Sequence, residues 1–187
     1  MGVLALQGAF REHAEALTAL GADVALVKRP EQLDSVDAIV LPGGESTTID
    51  KLLDSSDLRA PLTRALRDGL PAFATCAGLI LCATEVVDGR PDQLPLAVLD
   101  VTVRRNGYGR QRESFETPLA VRGLADDFPG VFIRAPVVER VGGDVEVLAE
   151  HDGGAVLGRA HSLWFATFHP ELSGDLRLHQ LFVNEVS

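Results

Sequence analysis

The sequence predicts a three-layer α/β/α fold, with a central, mostly parallel sheet and an antiparallel or mixed extension in its second half. Three observations carry that reading. Short apolar runs alternate with helix-length segments to about residue 85, the pattern of a parallel sheet covered on both faces. Closely spaced β-type runs then take over, joined by turns such as Gly142-Gly143-Asp144 and Asp152-Gly153-Gly154. Finally, 187 residues, 46% of them hydrophobic, suit a single domain over 1–187 with a sizeable core.

Residues 2–6 read as a short buried strand that leaves through Gln7-Gly8. Residues 9–20 form a helix, with Phe10, Ala14, Leu17 and Leu20 near helical spacing and Gly21 as its stop. A second strand covers 23–27, and 28–33 is a loop containing Pro30. The third strand, 37–41, ends in Pro42-Gly43-Gly44-Glu45-Ser46, after which Thr47 or Thr48 caps a helix through Leu53. Another helix covers 58–67 and is closed by Gly69. Residues 71–75 are a buried strand that turns at Cys76 straight into a helix. Strands are then expected at 99–104, 114–121, 131–134, 137–141, 145–149, 155–160 and 163–168. A helix over 175–186 closes the chain, with Leu178, Leu181 and Phe182 on one side. The arrangement is flavodoxin-like. In such sheets ligands sit at the carboxyl ends of the strands, where Gln7, Gly43-Gly44, Cys76 and His169 converge.

A net charge of −10 argues against general nucleic-acid or anionic-membrane binding. Residues 1–6 lack a basic leader and no apolar run reaches membrane-spanning length, so neither a signal peptide nor a span is expected. Cys76 and Cys82 form no CxxC pair and no metal spacing. They are poorly placed for a disulfide, which points to a reducing cytoplasm.

The chemistry centres on Ala74-x-Cys76-x-Gly78. A strand turning directly into a helix presents the turn side chain at the sheet's rim and aims free helix N–H groups at the same point. Small neighbours leave room for the turn, as in a nucleophile elbow. A buried structural cysteine is the competing reading. A base is offered by His169, followed by Pro170 and Glu171. In extended chain, residues two apart face the same way, so Glu171 can hold one imidazole nitrogen and leave the other for Cys76. His13, His151, His161 and His179 read as surface or packing residues, and Cys82 as helix packing.

Gly43-Gly44-Glu45-Ser46 lacks the Gly-Lys-Ser/Thr ending of a phosphate loop. Glu45 suits an α-ammonium group, so an amino-acid site fits better than a nucleotide site; a tight turn with a Ser-Thr helix cap is the alternative. The basic segment 104–112 reads as a loop whose arginines could hold a carboxylate bidentately, dock a partner or touch RNA. Arg134, in an apolar strand, needs a partner of its own, either structural or a substrate carboxylate.

On these motifs the chain resembles the triad-type (class I) glutamine amidotransferases, and within them the glutaminase subunits of pyridoxal 5'-phosphate synthases. The matching stretches are Leu6-Gln7-Gly8 with Arg11-Glu12-His13, Gly43-Gly44-Glu45-Ser46-Thr47-Thr48, Thr75-Cys76-Ala77-Gly78, Arg105-Asn106 with Tyr108-Gly109-Arg110-Gln111, Phe132-Ile133-Arg134-Ala135-Pro136, and His169-Pro170-Glu171-Leu172. The resemblance implies Cys76 as nucleophile, His169 as base and acid, and Glu171 as the orienting carboxylate. It implies glutamine binding by Gly44, Glu45, Ser46, Arg105, Ile133 and Arg134. Oxyanion contacts would come from the backbone of Gly43, Gly44 and Ala77. It further implies no metal or cofactor. Glutamine would be hydrolysed through a thioester, and the ammonia channelled to a synthase subunit that makes pyridoxal 5'-phosphate. Docking of that subunit is expected to complete the oxyanion site at the Gly43-Gly44 pair, leaving the free chain weakly active. Three departures stand out: Ala74 replaces the family's usual glycine, 88–95 is longer than expected, and the first strand begins unusually close to residue 1. The rival readings are a glutaminase serving a different synthase, a DJ-1-like cysteine hydrolase or chaperone, and a regulatory subunit with a relic site.

Overall fold

The computed structural model describes residues 1–105, 107 and 114–186. The first half runs β1 (Gly2–Leu4), α1 (Phe10–Ala19), β2 (Ala25–Val27), β3 (Ile39–Leu41), α2 (Ser46–Ser55), α3 (Arg59–Arg67), β4 (Ala72–Thr75) and α4 (Ala77–Cys82). The second runs β5 (Ala83–Val87), β6 (Leu99–Arg104), β7 (Ser114–Leu119), β8 (Phe128–Ile133), β9 (Val137–Val141), β10 (Glu146–His151), β11 (Gly154–Ala160), β12 (Leu163–Ala166) and α5 (Arg177–Val186).

Among the described residues the main sheet has the order β10-β11-β12-β4-β3-β1-β2. From β12 to β2 all pairings are parallel, and β10 and β11 add the antiparallel extension. Its strands are continuously apolar because both faces are buried. Val3, Val40, Phe73 and Trp164 point into one core, with Leu17 of α1 and Leu178 and Phe182 of α5. Their chain neighbours Leu4, Ile39, Leu41, Ala72, Ala74 and Phe165 point into the other, with Ile49, Leu53, Leu62 and Leu79 from α2, α3 and α4. The strand period of two thus divides each run between two cores.

Three local features differ from the sequence expectation. The expected loop at 28–33 instead enters a 3-10 turn over Pro30–Ser35, with Pro30 at its start, where a missing N–H costs nothing. The Gln32 side chain closes that turn by accepting from the N–H groups of Lys28 and Arg29, at 2.8 and 3.0 Å. The cap of α2 is neither Thr47 nor Thr48. The Glu45 carboxylate accepts from both their N–H groups, at 3.2 and 2.7 Å. Finally, β5 follows α4 without a loop and pairs parallel to β6, which pairs antiparallel to β9 in a smaller second sheet.

The segment after β5 is tied down by charge. Arg59 donates to the Asp50 carboxylate at 2.6 Å, to Asp54 at 2.5 Å and to the Leu94 carbonyl at 2.7 Å. The Asp50 side chain is only 4% exposed. Removing the cation from a buried carboxylate leaves that charge uncompensated. Arg59→Ala should therefore lower unfolding stability by about 3 kcal/mol. A denaturant titration checks this, and a change below about 0.5 kcal/mol would refute the clamp. Among the described residues, no helix is long and apolar enough to cross a membrane.

Candidate active site

The site is built where β4 passes into α4. Cys76 sits at the junction with φ 46° and ψ −100°, a strained conformation that a non-glycine residue holds only when its surroundings fix it. They do so here: the Cys76 N–H donates to Ala166 O of β12 at 2.9 Å, and its carbonyl accepts from the Ile80 N–H at 3.2 Å. Gly78 allows the elbow to lie against β3, since a Cβ there would stand 2.1 Å from the Leu41 carbonyl oxygen. Ala74 fits within this packing as a buried residue of β4.

His169 follows β12, anchored by its N–H donating to Val131 O of β8 at 2.8 Å. Its own backbone is near-extended, but the extended chain expected through Glu171 is not formed. Pro170 instead starts a 3-10 turn over Pro170–Leu172 that folds Glu171 back onto the imidazole. His169 Nδ1 and Glu171 Oε1 are 2.7 Å apart, and the other face of the ring bonds Cys76. Burial alone would push the His169 imidazole down. The hydrogen bonds and charges of Cys76 and Glu171 more than offset it and raise the imidazole to about 10. Burial likewise works against an ionised Glu171, but nearby His13 and the bond to His169 outweigh it and hold the carboxyl low. At neutral pH the arrangement is an imidazolium beside an ionised carboxylate, with the cysteine sulfur on its other side.

The Gly43-Gly44 loop closes over this pair. A Cβ on Gly43 would lie 2.4 Å from His169 Cε1 and 3.3 Å from Cys76 Cβ, so only glycine lets the backbone come this near. Gly43 is held on both sides: its N–H donates to Thr75 Oγ1, and its carbonyl accepts from the Ala9 N–H, each at 3.0 Å. With its N–H spent on Thr75, Gly43 is not an oxyanion donor in this conformation; those of Gly44 and Ala77 are the remaining two of the three expected.

A cavity of about 280 Å³ opens onto Cys76 and His169. Gly44, Glu45, Ser46, Arg105, Ile133 and Arg134, scattered in sequence, all line it, with Gln7 and Ile80. Arg134 is there in a left-handed backbone conformation, φ 44°, another strained residue at the site. Glu45 does more than expected. Besides capping α2 it lies 3.3 Å from Arg105, and the bonds from Thr48 and Thr47 outweigh its partial burial and hold its carboxyl low. Of the basic segment, Arg105 reaches the cavity and Arg104 pairs with Glu139 and Asp88. Asn106 and Tyr108–Arg112 lie outside the described residues.

The sequence reading missed four residues around this site. Gln93, from the long segment after β5, accepts from Arg105 at 3.2 Å. Thr75 forms a buried cluster behind Glu171 with His13 and His179, two histidines expected at surface or packing positions. His151 does pack, with its ring against Phe115 and Phe132. The length of the 88–95 segment was the only sequence signal near Gln93. Because Gln93 orients a cation without touching the sulfur, Gln93→Ala should raise KM for the substrate about tenfold and leave kcat within about twofold. Steady-state kinetics separate the two, and an unchanged KM would count against the role.

The sequence of the chain matches the SNO glutamine amidotransferase family over residues 3–187. The chain belongs to that family. Among relatives, it is 54% identical over 186 residues to the pyridoxal 5'-phosphate synthase subunit PdxT of Mycobacteroides abscessus, covering 100% of this chain and 96% of that protein. It is 52% identical over 194 residues to the same-named subunit of Rhodococcus opacus, with the same coverage. A crystal structure of a glutamine amidotransferase superposes with a TM-score of 0.93 at 48% identity, covering 99% of this chain and 97% of that one. PurLQS from Thermotoga maritima, at 16% identity and a TM-score of 0.67, shares the fold. The SNO-family chain thus carries its elbow cysteine and His-Pro-Glu turn on the three-layer sheet expected from its sequence.

Proposed function

We propose that this chain, acting as one glutamine amidotransferase domain, hydrolyses L-glutamine to glutamate and ammonia. It hands the ammonia to a separate synthase subunit that makes pyridoxal 5'-phosphate. The observation that carries this reading is the Cys76–His169–Glu171 chain of contacts at the mouth of an amino-acid-sized cavity. Family membership and the names of the relatives give the substrate and the pathway.

Glutamine enters with its side-chain amide against Cys76. Its α-carboxylate and α-ammonium group meet Arg105, Arg134 and Glu45. Ser46 Oγ, buried and without a partner among the described residues, has a hydrogen bond to give. The thiolate adds to the amide carbon, and the N–H groups of Gly44 and Ala77 hold the oxyanion. As the sulfur bonds carbon, it loses the negative charge that kept the proton on His169. The imidazolium becomes an acid at the moment the leaving nitrogen needs a proton. Ammonia departs, and water, deprotonated by the now neutral His169, hydrolyses the thioester. Glu171 keeps the ring in one orientation throughout.

The expectation that the partner completes the oxyanion site fits the Gly43 peptide, whose present hydrogen bonds face Thr75 and Ala9. The setting that suits two free, buried cysteines is a reducing cytoplasm. The test is glutamate release by the chain alone and with a pyridoxal 5'-phosphate synthase subunit. Stimulation by that partner is expected. Turnover that ignores the partner would keep the glutaminase and remove the pathway, favouring a glutaminase for a different synthase. No turnover in either condition would overturn the reading.

A further inference from the structure

Behind the triad carboxylate lies a buried polar cluster that the reaction as written does not use. His13 reaches in from α1, Thr75 from the end of β4 and His179 from α5, all 0% exposed. His13 Nδ1 is 2.9 Å from His179 Nε2. On its other side, His13 Nε2 is 3.1 Å from Thr75 Oγ1 and 3.3 Å from Glu171 Oε2. Glu171 spends Oε1 on His169. Its Oε2 is buried and makes no hydrogen bond within strict geometry among the described residues, so the His13 contact at ion-pair distance is the support it has. Thr75 Oγ1 in turn accepts the Gly43 N–H.

We propose that His13 is a positioning residue for glutamine hydrolysis: its Nε2–H holds the second oxygen of Glu171 and, shared with Thr75, ties the triad carboxylate to the Gly43-Gly44 loop. This rests on the glutaminase reading above.

The protons can be placed by elimination. Burial pushes both imidazoles down, His179 to about 3, so both are neutral and each carries one N–H. His179 Nδ1 has no partner among the described residues. A bare acceptor is tolerated in a core more readily than a bare donor, so the His179 proton sits on Nε2 and points at His13 Nδ1. The His13 proton is thereby on Nε2, facing Glu171 and Thr75. The chain runs from His179 to His13 to Glu171, and His169 donates to Glu171 from the other side. Each carboxylate oxygen then has one imidazole donor, which fixes the carboxylate plane and so the His169 ring. The same His13 proton reaches the threonine that orients the Gly43 peptide, so nucleophile activation and loop conformation share one node.

Asparagine and glutamine variants of His13 separate the two ring nitrogens. An Asn amide can stand near Nδ1, and a Gln amide can reach the place of Nε2–H. The full chain is assayed with its synthase partner, and Cys76→Ala serves as the inactive control. His13→Asn should lower kcat about 10- to 100-fold with KM for glutamine within about twofold, the size of effect seen when a group behind a catalytic ligand is lost. Its acid limb should also move to higher pH. The titratable groups facing Glu171 are His169 and His13, and those facing His13 are Glu171, His169 and His179, with Glu12 on its own helix. Losing the His13 Nε2–H beside its second oxygen therefore raises the carboxyl of Glu171. His13→Gln should stay within about fivefold of wild type, with an unshifted limb. Equal kcat in the two variants would overturn the proposal, whether both are impaired or both are normal. Thr75→Val, which keeps the volume, reads the link to the loop independently. About tenfold lower kcat at unchanged KM is expected, and wild-type kcat would overturn it, including where His13→Asn fails to fold. Wild type without turnover, or Cys76→Ala with it, would instead remove the underlying glutaminase reading.

Discussion

Cys76→Ala should abolish glutamate release, with kcat falling at least about 10⁴-fold in the presence of the synthase partner. The magnitude follows from the sulfur's place at the head of a chain in which each member acts on the next. Without it, His169 has no nucleophile to activate and the amide meets only an oxyanion site. Glutamine binding should survive within a few-fold, because Arg105, Ser46 and Glu45 reach the cavity from other elements. Calorimetric titration of the variant with glutamine checks this half of the expectation. Cys82 cannot take over. It is 0% exposed, and burial pushes its thiol up to about 12, so it carries no thiolate at neutral pH. The same contrast should appear in alkylation of the native chain, with Cys76 labelled and Cys82 spared. Residual turnover within tenfold of wild type in Cys76→Ala would end the thioester mechanism.

Gly78→Ala should be the most damaging conservative change to the fold. The added Cβ would stand 2.1 Å from Leu41 O and 2.8 Å from Leu41 C. Both are backbone atoms of β3, so no side-chain rotation relieves the contact. Leu41 is paired with Ala74 across the β3–β4 ladder, and the strain therefore falls on two central strands at once. Overpacking of this kind costs about 3 kcal/mol or more, which for a chain of this length lowers Tm by about 10 °C. Thermal unfolding followed by circular dichroism measures it. Wild-type Tm together with wild-type turnover would show that the elbow can move off β3 freely.

The grouping of Cys76, His169 and Glu171 was legible in the sequence because its signals are local. An elbow needs small residues on both flanks of one reactive residue, and Ala74-x-Cys76-x-Gly78 supplies them; His169 and Glu171 are two residues apart. Even there the local geometry differs, since Pro170 opens a 3-10 turn where an extended chain was expected. The sheet was legible because strands buried on both faces are apolar throughout. The supporting residues were hidden because nothing local joins them. His13 and His179 are 166 positions apart and His13 and Thr75 are 62 apart, so their meeting exists only once α1, β4 and α5 are packed. Glu45 as the cap of α2 was masked by the Ser46-Thr47-Thr48 run beside it, residue types that usually fill that position. β5 was missed because five residues following a helix directly offer too short a pattern to separate from the helix end.

The segment carrying Gln93 divides the active site into parts of unequal durability. Residues 88–94 are fastened by polar contacts: Arg59 on the Leu94 carbonyl, Asp50 near the Leu94 N–H, and Arg104 on Asp88. Leu94 itself is 60% exposed and contributes little burial. Segments held this way open locally at a small fraction of the free energy of global unfolding. Each opening withdraws Gln93 from Arg105, while Cys76 and His169 stay seated on β4 and β12 in the middle of the sheet. On warming, the enzyme therefore loses its grip on glutamine well before it loses its ability to cleave it.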